Sequence, residues 1–207
     1  MIEIVTIDRE YGCGGANIAD KLAASLNWKL WDHLLTDEIA RLMDCDCYAV
    51  EPHEEKQDPL YYRLFKSFMR GSFEGTLNSK TVKMVDADCV REAAQRVVTK
   101  AASEGNAVIV GRGSAYYLRD RLNAFHVLVY APVEEKVRRL MEDGKSEARA
   151  VELVETVDRD RAAYIKQYFG VEWPLRNLFD LMVNTRMGDD AVVQTILGAM
   201  KASQRFS

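Results

Sequence analysis

Histidine and cysteine are scarce in this chain, at three and four residues among 207. His33, His53 and His126 are scattered, and no cluster with metal-ligand spacing forms around them. A metal-centred chemistry built from protein ligands is therefore not expected. Cys13, Cys45, Cys47 and Cys89 contain one close pair, separated by a single residue. That spacing suits neither a zinc knuckle nor a redox C-x-x-C pair. Four reduced thiols, and hence a cytoplasmic setting, are the expectation. Long apolar runs are also missing. No uncharged stretch approaches the length of a membrane span, so no membrane association is expected. Met1-Ile2-Glu3 leads directly into a strand-like segment, without the basic start and apolar stretch of a secretory leader. Neither sign of charge dominates, with 28 Lys+Arg against 32 Asp+Glu and a net charge of −4. A clustered cationic face is what backbone binding to nucleic acid needs, and this balance argues against such a partner. A small anionic ligand needs only a few local cations and stays open. Internal repeats and low-complexity tracts are absent, and nothing in the pattern addresses oligomeric state.

What remains is an ordinary globular composition, 48% apolar and 29% charged, of a length that suits one domain with a sizeable core. Ile2 to Ile7 reads as a buried strand. After the turn Gly12-Cys13-Gly14-Gly15, the residues Ile18, Leu22, Ala23 and Leu26 recur at helical spacing and predict a helix over 17–26. Trp28 to Trp31 reads as a second strand ending at Asp32, and Thr36 as the cap of a helix from Asp37. Residues 44–88 differ in character. Two prolines, a charged patch at Glu54-Glu55-Lys56 and the aromatics Tyr61, Tyr62, Phe65 and Phe68 suggest a helical insert. A helix around Val90 to Ala101 ends near Gly105. Strands follow at Ala107 to Val110, His126 to Tyr130 and Leu181 to Val183, with helices at Val133 to Met141, Glu147 to Lys166 and Ala191 to Met200. Alternation of strand and helix implies a mainly parallel sheet covered on both faces. His126, opening a buried strand, reads as a core residue rather than a ligand.

The glycine turn is the strongest chemical signal. The first N–H groups of a helix have no intrahelical partner, and the helix dipole adds partial positive charge there. Glycines let the backbone curl around phosphate oxygens. Against G-x-x-x-x-G-K-[ST], with Gly14 as the second glycine, the match is partial. Arg9 stands at the first glycine, Gly15 at the lysine and Ala16 at the Ser/Thr. Two other readings stay open: a tight turn with no ligand, and a dinucleotide turn with Asp32 as the ribose acid. The latter fails at its third small residue, which is Asn17.

The segment Ile7-Asp8-Arg9-Glu10-Tyr11-Gly12-Cys13-Gly14-Gly15, with Ile18-Ala19 after it, resembles the opening of the bacterial cytidylate kinase-like proteins. These are relatives of cytidylate kinases with an altered phosphate loop. The resemblance continues through Leu30-Trp31-Asp32, Val110-Gly111-Arg112-Gly113, Tyr130-Ala131-Pro132-Val133-Glu134-Glu135, Asp158-Arg159-Asp160-Arg161, Tyr164 to Trp173 and Phe179 to Thr185. It implies a three-layer α/β P-loop fold like that of the nucleoside monophosphate kinases, as a single domain over 1–207. Residues 44–88 would be the acceptor-binding insert and about 146–173 the lid region. The implied reaction moves the γ-phosphoryl of ATP, with Mg²⁺, onto CMP or dCMP.

Roles follow from charge, because phosphoryl transfer is mostly positioning and neutralisation. Gly12, Cys13, Gly14, Gly15, Ala16 and Asn17 would hold ATP. Arg9 could replace the missing lysine. Arg112 matches an arginine that grips the monophosphate, a task its bidentate fork suits. The plainer reading is a surface arginine after a strand. Asp160 matches an acid that holds the nucleoside, and Arg159 and Arg161 look like lid arginines. Charge alternating along a helix is also what a solvated, salt-bridged face looks like. Asp32 could face the acceptor or simply cap a turn. Ala163 stands where the true kinases carry a further substrate-binding arginine. A binding protein without turnover, and a kinase for another small metabolite, are the competing functional readings.

Overall fold

The computed structural model describes residues 1–32, 34, 38 and 87–203. The insert expected at 44–88 lies almost wholly outside them, as does the cap expected at Thr36. The described elements are β1 (Ile4–Arg9), α1 (Gly15–Leu26), β2 (Lys29–Trp31), α2 (Ala87–Glu104), β3 (Ala107–Val110), a short α3 (Ser114–Tyr117) and β4 (Ala124–Tyr130). After these come α4 (Val133–Glu142), α5 (Glu147–Phe169), β5 (Leu181–Asn184) and α6 (Asp189–Ser203). Two 3₁₀ turns, Arg176–Leu178 and Thr185–Met187, flank β5.

The five strands form one parallel sheet in the order β2-β3-β1-β4-β5. β1 lies at the centre and all six of its residues are buried. Its side chains alternate between two layers, as the pleat requires. Ile4 faces a core cluster with Ile109, Ala94, Val97, Val98, Tyr164 and Ile165, under α2 and α5. Val5 and Ile7 face the opposite cluster with Ile18, Leu22, Val127, Val192 and Ile196, under α1 and α6. Helices thus cover both faces, which explains why the strands read as apolar runs. β1 extends two residues beyond its expected end, to Arg9, since Asp8 and Arg9 still pair with Leu128 and Val129 of β4. His126 is buried, with Nδ1 2.7 Å from Thr6 Oγ1, and burial lowers its pKa.

α4 and the first half of α5 make a third, smaller cluster of Leu140, Ala150 and Val154, with Tyr11 and Val137 against it. This cluster sets α4 and α5 beside the residues that follow β1. Among the described residues, no helix is long and apolar enough to cross a membrane.

Leu22 is fully buried between α1 and the sheet. Leu22→Ala should cost about 2–5 kcal/mol. A lowered urea midpoint with an unchanged m-value would report that loss of packing.

Candidate active site

β1 delivers the chain into the glycine turn at the carboxyl end of the sheet. Gly12 and Gly14 have φ of 80° and 82°, values that a side chain would strain. Gly14 caps α1 without a side-chain hydrogen bond, and the first turn of α1 holds no acid. The first N–H groups of α1 and its dipole are therefore left for an external anion.

The surroundings explain each glycine. A Cβ on Gly12 would lie 3.1 Å from Leu140 Cδ1 and 3.2 Å from the Lys136 carbonyl. One on Gly14 would collide with Arg139 Nη1. One on Gly15 would lie 2.8 Å from Arg9 Cδ and 3.0 Å from Arg9 Cβ. Real Cβ atoms do not approach so closely, so no lysine fits at position 15 while Arg9 lies where it does. The buried Arg9 side chain continues past Gly15 towards β3. Its Nη1 lies 2.5 Å from where a Gly111 Cβ would be, and its Nη2 is 4.0 Å from Asp32 Oδ1.

Arg112 lies beyond β3 in a run of three left-handed residues, with φ of 63° at Gly111, 56° at Arg112 and 69° at Gly113. Strained backbone at a non-glycine residue persists only where its surroundings impose it. Gly113 cannot be replaced easily either, because Phe169 Cζ would lie 2.9 Å from its Cβ. Burial, and next the charge of Arg9, push the Arg112 guanidinium down to about 9, against the pull of Asp32. Burial also lowers the Arg9 pKa, with Asp32 opposing and Arg161 adding to it. Arg9, Arg112 and Arg161 therefore sit within one another's fields, with Asp32 among them. Two perturbed cations in one place, Arg9 and Arg112, are a mark of a functional site.

Arg161 reaches this group from α5. Its Nη1 donates to the Arg9 carbonyl at 2.5 Å and to Asp158 Oδ1 at 2.5 Å. Its guanidinium lies over Trp173, 5.4 Å from the ring centroid. Trp173 Nε1 in turn donates to Asp8 Oδ2 at 2.8 Å, and Asp8 Oδ1 accepts from the Arg9 N–H at 2.9 Å. Arg159 is exposed and Asp160 half-buried on the same helix. Among the described residues, no hydrogen bond or ion pair joins either of them to the arginine group.

Several residues near the turn escaped the sequence reading. Lys136 is buried and pairs with Glu10 at 2.9 Å and Asp158 at 3.5 Å. Arg139 lies against Gly14 and donates to Asp189 Oδ1 at 2.9 Å, the Thr185 carbonyl at 3.1 Å and Glu135 at 2.9 Å. On paper Glu134 to Arg139 looks like a solvated charged face. The available signal was that Lys136 shares a helix face with the apolar Leu140, one turn on. Cys13 is buried within the turn. Its thiol donates to the Val129 carbonyl at 3.5 Å, and burial pushes its pKa up to about 11. Its carbonyl accepts from Thr185 Oγ1 at 2.7 Å.

No oxygen ligand stands at Ala16, and among the described residues no group of three or more His, Cys, Asp or Glu could hold a metal ion. A divalent cation here would be held by phosphate oxygens and water.

A central parallel strand, a glycine turn, an anion-ready helix N-terminus and helices on both faces define an α/β protein of the P-loop kinase kind. The chain belongs to the cytidylate kinase-like family, which matches residues 4–187. Among solved structures it is similar to an uncharacterized protein from Eubacterium ventriosum, at 22% identity and a TM-score of 0.68, covering 98% of this chain and 99% of that one. It is also similar to shikimate kinase from Acinetobacter baumannii in complex with shikimate, at 17% identity and a TM-score of 0.55, covering 98% and 94%. Shikimate kinase from Bacteroides thetaiotaomicron gives 15% identity and a TM-score of 0.54 over 97% and 99%. These likenesses show the fold. No curated protein matches the chain.

Arg112→Gly separates site from scaffold. The change lifts the backbone strain, worth about 1 kcal/mol, but it also empties the space of a buried side chain. The melting temperature should fall while the variant still folds, and the affinity of the folded variant for inorganic phosphate or a nucleotide, read by calorimetry, should fall about tenfold or more.

Proposed function

We propose that this protein transfers the γ-phosphoryl group of ATP to a nucleoside monophosphate, with CMP or dCMP as the acceptor. The observation that carries this reading is the convergence of Arg9, Arg112 and Arg161, with Asp32 beside the first two, next to a glycine turn that leaves helix N–H groups open. Family membership supports the reaction class. The backbone of Gly12 to Asn17 would hold the donor phosphates. Arg9 would neutralise charge on the phosphoryl group in flight, in place of the lysine that its own stem excludes from position 15. Arg112 would grip the acceptor phosphate through its fork. Arg161 would add positive field from α5, and Arg159 would join it only if α5 moved. Asp32 would orient the acceptor, and Asp160 the nucleoside. Mg²⁺, arriving with the nucleotide, would neutralise the outer phosphate oxygens, and Ala16 adds no ligand to it.

A second reading is favoured by one observation. Both side chains that make such a loop a strong catalyst are absent, at Gly15 and Ala16, and one preorganised donor alone is worth about 3–4 kcal/mol of transition-state stabilisation. Nucleotide binding without turnover follows if Arg9 does not replace them. Steady-state transfer from ATP to a panel of nucleoside monophosphates and hydroxylated acids decides between the two. If no acceptor turns over at high enzyme concentration while calorimetry still detects nucleotide, the kinase reading is lost and the binding reading stands.

The Arg9–Gly15 exclusion supplies a sharper test. Gly15→Lys alone should cost about 1–3 kcal/mol through overpacking against the Arg9 stem. Arg9→Gly alone should lower kcat/KM about a hundredfold or more. The double variant, which restores glycine and lysine at the template positions, should recover the lost stability and be strongly non-additive. A thermal-shift double-mutant cycle with additive effects would count against the exclusion.

A further inference from the structure

Arg9 at the end of β1 and the two residues that separate it from the first glycine of the turn are each held by side chains from α4 and α5. The Arg9 carbonyl accepts from Arg161 Nη1 at 2.5 Å. Glu10 accepts from Lys136 Nζ at 2.9 Å. The Tyr11 N–H donates to Asp158 Oδ1 at 2.8 Å. The same carboxylate accepts from Arg161 at 2.5 Å and has Lys136 at 3.5 Å. Asp158 is thus the meeting point of the grip. It contacts the loop backbone directly at Tyr11, and it fixes the two cations that hold the preceding residues, Arg9 and Glu10.

The energetics make this more than a surface ion pair. The Asp158 side chain is 16% exposed and that of Lys136 is 8% exposed, so the interactions are little screened. A hydrogen bond from a backbone N–H to a carboxylate is among the stronger ones a loop can make. Tyr11 also packs against Leu140, Ala150 and Val154, so the same helices hold the loop by apolar contact. A turn that must match phosphate oxygens loses affinity if it has to be ordered at the moment of binding.

We propose that Asp158 is the positioning residue of the phosphate loop: its carboxylate fixes the Tyr11 N–H and, through Arg161, the Arg9 carbonyl, so that the loop is held in its binding shape by α5. The proposal rests on the reading of the turn as a phosphate holder, and assigns Asp158 no contact with substrate.

The groups facing Asp158 are Arg161 on α5, Lys136 on α4 and Glu10 after β1, with the un-ionised Cys13 thiol nearby. Burial pushes the Asp158 carboxyl up to about 6, while Arg161 and Lys136 pull the other way. The sign matters. A carboxyl whose folded pKa lies above its unfolded value favours the fold below about pH 4, and that contribution is lost as pH rises through 6. Acidification through 6 therefore does not weaken the fold through Asp158, but it removes the charge that holds Tyr11 and Arg161. Loop order and global stability should part company in that window.

Amide hydrogen exchange on the full chain without nucleotide tests this. Between pH 7.5 and 5, corrected for the intrinsic rate, protection of the peptide spanning Tyr11 should fall about tenfold or more, while peptides in β3 and β4 stay unchanged. Asp158→Asn should show the low protection at every pH and lose the transition. Its KM for ATP should rise, and the acid limb near pH 6 should vanish from its rate profile. Loop protection that is flat with pH in the wild type overturns the proposal, whether or not the variant folds. So does a variant in which loop and core peptides loosen equally. Because the exchange readout uses no substrate, a failed kinase assay leaves it intact and counts only against the functional reading.

Discussion

One volume beside the glycine turn can hold either the stem of Arg9 or a side chain at position 15, and in this protein Arg9 has it. Much of the site follows from that occupancy. β1 must run on to Arg9, still paired with β4, so that the arginine leaves the sheet at the right height. Gly111 must lack a side chain for the guanidinium to pass. The cation then arrives from the strand, next to Asp32 and Arg112, instead of from the helix. The turn keeps its backbone donors, but its positive charge is displaced towards the ends of β2 and β3.

Around that displaced charge the elements divide their tasks. β1, the turn after β3 and α5 each contribute one arginine to the group, with Arg9 and Arg112 buried and Arg161 half-buried. Buried like charges are costly without an opposite charge, and Asp32 lies among them. α4 and α5 meanwhile act on the loop from the other side, through Lys136, Asp158 and Arg139. The site therefore has a charged floor towards the ends of β2 and β3 and a braced wall formed by α4 and α5. Two braces reach backbone atoms, Asp158 at the Tyr11 N–H and Arg161 at the Arg9 carbonyl, and Lys136 holds the Glu10 side chain between them, which helps a glycine-rich turn to hold one shape.

The architecture was legible because parallel strands buried on both faces leave apolar runs of the right length, and because Gly12 to Gly15 separates the first strand from the first helix. The three-layer α/β P-loop fold and the family both followed from that order of motifs. Boundaries slipped where pairing overrode composition, as at Asp8 and Arg9, polar residues that are nonetheless strand. The missing lysine was legible at Gly15, but its cause was not, since the conflict with Arg9 spans six positions and exists only in three dimensions. Lys136, Arg139 and Asp158 were hidden for a related reason. Each lies in a charged helical stretch that looks solvated until another element is packed on it. The arginine group was half legible: Arg9, Arg112 and Arg161 come together, whereas among the described residues Arg159 and Asp160 stay apart from it.

The thiol inside the turn carries a consequence of another kind. Electrophiles and oxidants attack the thiolate rather than the thiol, and they need access. Cys13 offers neither, since burial keeps it protonated and its sulfur is turned towards the Val129 carbonyl. A cysteine has been placed at the heart of the glycine turn without making that turn a redox target. Alkylating or peroxide treatment should leave Cys13 unmodified for as long as the fold holds.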